Sequence, residues 1–450
     1  MEAKRKYISL FIGLTAALAL WFFIVLFASA RFTLEDFTIS LLIREQSLFY
    51  ALKWHYLNNS LRYTALLLSY PTIGTSGPAN FLTAAMIYYF FLMTFFVFVI
   101  YRIQKDLLID GPLNKTEKPI LVLFSFVHIA DLYFLCSDRI EIFGWLTSTM
   151  VHVVPVVFAL FAFWIIAKPT TRPWDNLYLI ISAFFIAGAA EQIVAIVWII
   201  AAAYLTNGVL KKQTKFLFER KAKQTMIFTI LITILFALVI TNPGTMQRWH
   251  EESLIVESNS ALDSHPFHFL CKPHKLTGLL ICLVSACCFS IFFKAKPRFS
   301  AKPIFSAFIV SLFITMLASK AAYNYFYYTR MYFGVDTTFY MLVSILAIKY
   351  IAPKISAVQL SIGASLCLAL LVTHNIRHIK PLRTYAQEYD KMQNQLKQEP
   401  SGKVFKYQLP DADLVCPLSL DADPRNKQNR EYCRFYGIKA EVSFNDAPKD

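Results

Sequence analysis

Residues 7–29 read YISLFIGLTAALALWFFIVLFAS, with no charged side chain anywhere in the run. A helix rises about 1.5 Å per residue, so this segment is long enough to cross a hydrocarbon core of about 30 Å. Similar runs recur along the chain. In lipid the backbone must satisfy its own polar groups, which leaves helices or closed barrels. These runs are too long and too continuous for barrel strands. The sequence therefore predicts an all-α polytopic membrane protein. About eleven spans are expected, at 7–29, 80–101, 119–136, 145–167, 177–189, 193–208, 225–241, 276–293, 303–319, 337–351 and 356–373. The fifth and sixth are short and also read as a tight re-entrant pair.

Composition agrees. Charged residues make up 16% of the 450 and hydrophobic ones 56%, against about a quarter charged in soluble domains. The net charge is +15, and its placement carries the information. Lys4-Arg5-Lys6 and the segments 102–118, 168–172, 211–223, 294–302 and 349–354 are basic. The intervening loops hold Glu35, Asp36, Asp138, Glu141, Glu191, Glu251, Glu252 and Glu257. Basic loops stay cytoplasmic, which predicts a cytoplasmic N-terminus and an exported C-terminus. Basic residues scattered over short loops fit anionic headgroups better than nucleic acid, so no nucleic-acid partner is expected. Lys4-Arg5-Lys6 and Ala28-Ser29-Ala30 give the first run the look of a signal peptide. Its length favours a retained anchor.

Three parts follow. Residues 1–78 hold one span and an acidic outer loop, 79–373 the multi-helix membrane domain, and 374–450 an exported tail. The outer loop includes an apolar periodic stretch at 41–56, read as an interfacial helix. In the tail, 379–398 reads as a helix with Tyr385, Met392 and Leu396 on one side. Pro400-Ser401-Gly402 ends it, and 404–409 alternates like a strand. Of eight cysteines, Cys282, Cys287, Cys288 and Cys367 fall in spans as small core residues. Cys416 and Cys433 lie in the tail, where an oxidising compartment permits a bridge.

Several polar residues are candidates for chemistry. Glu35 and Asp36 follow the first span directly. Mutual repulsion or partial burial tunes one of such a pair as a base; the other reading is a solvated loop. Arg62, in an Asn/Arg patch, reads as a phosphate holder or as an interfacial arginine with its head in the water. Glu141 and Glu191 sit in apolar surroundings that make ionisation costly without a partner. Asn242-Pro243-Gly244 is a turn that presents Arg248 and His250. Arg330 stands among Tyr323, Tyr325, Tyr327, Tyr328 and Tyr332, either an interfacial belt or a wall facing sugar or lipid. The Cys and His residues show no metal-ligand spacing.

The order of these features resembles the GT-C superfamily of membrane glycosyltransferases. The segments 141–155 (EIFGWLTSTMVHVVP), 188–192 (GAAEQ), 242–248 (NPGTMQR) and 423–438 (DPRNKQNREYCRFYGI) resemble bacterial surface-polysaccharide glucosyltransferases and their relatives. Three positions depart from that pattern. The acidic pair is Glu-Asp, Thr245 stands where asparagine is usual, and Asn58-Asn59-Ser60-Leu61-Arg62 replaces a glycine-rich patch. The resemblance implies a GT-C-like fold in a bacterial inner membrane and a polyprenyl-phosphate sugar as donor. The acceptor would be a glycan or a lipid-linked saccharide. Asp36 would be the base with Glu35 beside it. Arg62, Arg248 and Arg330 would hold the donor phosphate. Glu141, Trp145, Glu191, Gln192 and His250 would face sugar or acceptor. No cofactor is required, although acids near a phosphate can recruit a divalent metal. A transporter or flippase of lipid-linked saccharide, or a silent envelope scaffold, would use the same outer cavity without bond chemistry. No clear internal repeat of the transporter kind is visible.

Overall fold

The computed structural model describes the chain except residues 1, 30, 32–33, 59–61, 137–138, 189–190, 247–272, 298–303, 307, 314, 317–332, 399–403, 408–426, 437, 439–440 and 445–450. For some further helical residues, Glu35 and Glu141 among them, only the backbone is described.

Among the described residues, nine helices are long and apolar enough to cross a membrane. They fall on nine of the eleven expected spans. Of the other two, 177–189 falls on the shorter helix Asp175–Ala187, and 303–319 falls on Ile304–Phe313 and on undescribed residues. The protein is thus a helical polytopic membrane protein. Its outward faces agree. On α11 (Arg220–Ile240), Ile227, Ile230, Ile234 and Leu238 recur every three or four residues and are all exposed. Val358, Ile362 and Leu366 do the same on α14 (Ala357–Gln398). Apolar stripes of this length belong against lipid.

The bundle is built outward from α1 (Glu2–Ser29), which packs on α14 and on α6 (Glu117–Leu135). Aromatic rings fill that seam: Phe22 and Phe23 each lie 5.4 Å from Tyr133, and His374 lies 4.8 Å from Phe22. Helix α6 also packs closely on α12 (Pro273–Phe293). Gly278 permits this, since a Cβ there would stand 2.8 Å from the Leu135 backbone nitrogen. Small residues let helix backbones approach where lipid supplies no hydrophobic drive. A second group starts at α5 (Thr75–Ile103), which meets α8 (Leu146–Ala167). Beyond α8 come α9 (Asp175–Ala187) and α11, and α10 (Glu191–Lys212) packs on both. Helix α13 (Phe333–Leu346) touches both groups.

The basic segments gather at one end. Arg5 pairs with Glu117 at 3.5 Å, the Lys296 amide donates to the Leu108 carbonyl, and Lys221 Nζ donates to the Lys168 carbonyl at 2.8 Å. Arg102, Asp106 and Trp164 interlock there, and Lys168 pairs with Asp175 at 2.6 Å in near-complete burial.

The segment after the first span differs from the single interfacial helix expected at 41–56. It forms α2 (Leu34–Glu45) and α3 (Leu48–Asn58). The break is at Ser47, whose φ is 137°. Its hydroxyl accepts from the Tyr50 amide at 3.2 Å, an N-cap that starts α3 afresh. Short helices α4 (Tyr63–Ser69) and α7 (Arg139–Gly144) complete this end.

In the tail the expected helix at 379–398 is continuous with the last span, so α14 runs for 42 residues. Tyr385, Met392 and Leu396 are buried, as their spacing predicts. Strand β1 (Val404–Tyr407) pairs in parallel with β2 (Glu441–Phe444), and α15 (Lys427–Tyr436) lies between them in sequence.

Candidate functional site

Asp36 is the third residue of α2 and is fully buried. Its Oδ1 accepts a hydrogen bond from the Thr147 hydroxyl. Thr147 lies in the first turn of α8, two residues after Trp145, whose extended backbone turns the chain from α7 into that helix. Trp145 is itself buried. The turn is fixed by Thr149, whose hydroxyl donates to the carbonyls of Ile142 and Trp145 at 2.9 Å each, and by the Tyr89 hydroxyl on the Phe143 carbonyl. Thus the segment 141–155 supplies the hydrogen-bond donor to Asp36, Thr147.

The tail packs against the neighbouring residue. Phe37 sits edge-on to Tyr432 and Tyr436, with centroids 5.3 and 5.8 Å away. Tyr436 faces the Tyr389 hydroxyl at 3.3 Å and lies within electrostatic reach of Asp36. Burial holds the Tyr436 hydroxyl well above the ordinary tyrosine range, so it stays neutral. Arg31 grips Asp390 through two hydrogen bonds of 2.9 and 2.7 Å, and Arg434 pairs with Glu45 at 2.5 Å. Both ends of α2 are therefore tied to the tail.

Arg62 and Glu191 are brought together, 3.7 Å apart, about three-quarters buried each. That separation exceeds a hydrogen bond. Arg62 Nε is buried and has no hydrogen-bond partner among the described residues. The guanidinium is thus held near a carboxylate, with its Nε short of an acceptor among the described residues. The approach depends on Gly188. A Cβ there would fall 2.3 Å from the Tyr63 ring and 2.5 Å from the Thr64 hydroxyl. Tyr63 donates to the Phe184 carbonyl at 3.0 Å, and the Thr64 amide donates to the Gly188 carbonyl at 3.3 Å. Gly188→Ala forces these apart. Overpacking of this kind costs about 1–3 kcal/mol. Titration with SDS in mixed micelles should show that loss, and unchanged stability would mean that the contact is not tight.

Below Glu191 and Gln192 the same helix lines a cavity of about 400 Å³ among α8, α10, α11 and α13. Ile193, Val197, Leu160, Phe228 and Met341 make its walls apolar. It starts one residue past Gln192 and reaches Tyr204, Asn207 and Lys221 at the other end.

Asn242 caps a short helical turn: its Oδ1 accepts from the Thr245 amide, and its Nδ2 donates to the Thr245 hydroxyl, each at 2.8 Å. Thr245 thereby has a structural role at the position of departure. Arg248, His250 and Arg330 lie outside the described residues, as does Cys416 of the considered bridge. The Glu35 and Glu141 side chains are likewise outside the description. Among the described residues, no group of three or more His, Cys, Asp or Glu side chains is placed to hold a metal.

No protein-family model, curated protein or solved structure matches the chain.

Sequence reasoning gave no role to Thr147, Tyr436, Lys275, Asp336 or Asp131. Tyr432 and Tyr436 stand one helical turn apart in the quoted tail segment, a usable sign of a buried face. Asp131 breaks the apolar run 119–136, and an intramembrane carboxylate is a flag in its own right.

Proposed function

We propose that the protein is a membrane glycosyltransferase of GT-C type. It moves a sugar from a polyprenyl-phosphate donor to a surface-polysaccharide or lipid-linked acceptor, on the outer face of a bacterial inner membrane. One observation carries this reading. Arg62, with a guanidinium donor unmet among the described residues, stands beside Glu191, and α10 lines an apolar cavity from Ile193 onward, two residues further along the same helix. A long-chain lipid phosphate is the ligand whose two halves suit those two environments. The planar guanidinium would take phosphate oxygens, and the cavity would take the chain.

In this account Asp36 removes the proton from the acceptor hydroxyl. That oxygen attacks the anomeric carbon, and the lipid phosphate leaves with inversion. Arg62, with Arg248 and Arg330, stabilises charge on the departing phosphate. Glu141, Trp145, Glu191, Gln192 and His250 orient sugar and acceptor. Asp36 is fully buried, so the acceptor reaches it only when the surrounding packing opens. The N-terminus and the basic end then face the cytoplasm, as the lysine and arginine bias requires.

A flippase or transporter is the second reading. The extent of the cavity, from the Glu191 end to Lys221, favours it.

Arg62→Ala separates a phosphate site from a structural arginine. Binding of a short-chain polyprenyl phosphate to the protein in nanodiscs should weaken about 10–100-fold, the equivalent of losing charge-assisted hydrogen bonds. Equal affinity in both proteins removes Arg62 from the donor site.

A further inference from the structure

Asp131 lies in the last third of the third span, four residues before Leu135, and is fully buried. Its Oδ2 accepts a hydrogen bond from Ser285 on α12 at 2.7 Å. Its Oδ1 has no hydrogen-bond partner, and no Lys or Arg pairs with it, among the described residues. By contrast Asp175 and Asp336, equally buried, each hold a lysine at 2.6 Å. An ionised carboxylate at this depth with a single neutral donor is costlier than one unmet hydroxyl.

A chain of polar groups leads away from it. Ser285 shares its turn with Cys282, whose thiol meets the Ser344 hydroxyl at 3.4 Å. Tyr340 stands one turn before Ser344 and 5.8 Å, ring to ring, from His128. His128 Nδ1 is 2.7 Å from the Phe124 carbonyl and 3.1 Å from Gln104 Nε2, and Gln104 Oε1 accepts from Ser125 at 2.8 Å. Whichever tautomer it holds, the neutral imidazole has one N–H and one lone pair, so it can both take and give a hydrogen bond. Gln104, His128, Tyr340 and Ser344 all line one cavity of about 60 Å³. Its walls are otherwise apolar, from residues such as Ile100, Leu132 and Phe289. Gln104 stands at the end of α5 that carries the Arg102–Asp106 pair.

We propose that Asp131 is a proton-binding site in the membrane domain, filled and emptied through this Gln104–His128–Tyr340–Ser344 file. The bound form is the neutral carboxylic acid. Release leaves a carboxylate, and the proton passes along the hydrogen-bonding groups of the file to solvent water at its Gln104 end. The titratable groups facing Asp131 are Cys282 on α12, Tyr340 on α13 and Cys367 on α14, with His128 one turn away on its own helix. Between Tyr7 and Ser29, α1 offers no titratable side chain. The site does not depend on sugar transfer.

Infrared spectroscopy of the full chain in nanodiscs tests this through the carbonyl band of protonated carboxyl groups. At neutral pH the wild type shows a band that Asp131→Asn lacks, and Ser285→Ala shifts it by removing its hydrogen bond. After a switch to deuterated water the band moves to its deuterated position. In His128→Phe that exchange is about tenfold slower, the rate equivalent of one lost hydrogen bond in the file. A wild-type spectrum without the band overturns the proposal even if every variant misfolds. A band that ignores both Asp131→Asn and Ser285→Ala also overturns it. Unchanged exchange in His128→Phe overturns the route.

Discussion

Under the proposed glycosyltransferase function, Asp36→Asn lowers sugar transfer by about 10²–10⁴-fold, the range of a positioned general base, while donor binding persists. The amide has nearly the carboxylate's shape and can still accept from Thr147, so α2 keeps its place. What it loses is the capacity to take a proton. Thr147→Val sharpens the test, because it removes the hydrogen bond to Asp36 and leaves the carboxylate. Its effect is smaller, about one lost hydrogen bond or roughly tenfold. Transfer of radiolabelled sugar in a bilayer mimic measures both. An Asp36→Asn protein as active as the wild type excludes Asp36 as base and moves the chemistry elsewhere.

Lys275→Met destabilises the folded protein by about 3–5 kcal/mol, the cost of leaving a buried charge without its partner. Lys275 and Asp336 meet at 2.6 Å with their side chains only 6% and 3% exposed. Lys275 stands in the first turn of α12 and Asp336 in the first turn of α13. A cation at a helix N-terminus opposes the macrodipole, whereas an anion suits it. Lys275 is therefore accounted for by Asp336 and not by its own helix. The double variant Lys275→Met/Asp336→Leu recovers most of the loss, since an apolar pair of similar volume restores packing without desolvated charge. Unfolding in SDS mixed micelles measures all three proteins. Equal loss in the single and double variants would mean that the lysine acts by packing alone.

The spans were legible because their physical demand is local. A helix that crosses lipid must be long and apolar, and residues 7–29, 119–136 and 276–293 announce that in the sequence alone. Alternating basic and acidic loops were equally plain, and the structure gathers the basic segments at one end through Arg5–Glu117 and Lys221–Lys168. Helix 177–189 was the weak element, and its 13 described residues explain why: it leans on α8 and α11 instead of carrying a full span of its own.

Pairing was less legible. Arg62 and Glu191 stood out singly, but nothing local places residue 62 beside residue 191. That contact rests on Gly188 yielding space to Tyr63 and Thr64. Asp36 was visible as an acid near a membrane face. Its burial was not, because its hydrogen-bond partner is Thr147, and the neighbouring Phe37 packs on Tyr432 and Tyr436, almost four hundred residues away in the chain. The break at Ser47 was hidden in a periodic stretch, since only a positive φ and a hydroxyl cap mark it.

The most direct test of the central claim uses wild-type protein in a lipid bilayer mimic, with a panel of radiolabelled polyprenyl-phosphate sugars and lipid-linked acceptors. The account predicts label moving from donor to acceptor with inverted anomeric configuration. Donor bound at the Arg62 site, with no label transferred to any acceptor in the panel, would contradict it and turn the reading to transport or scaffolding.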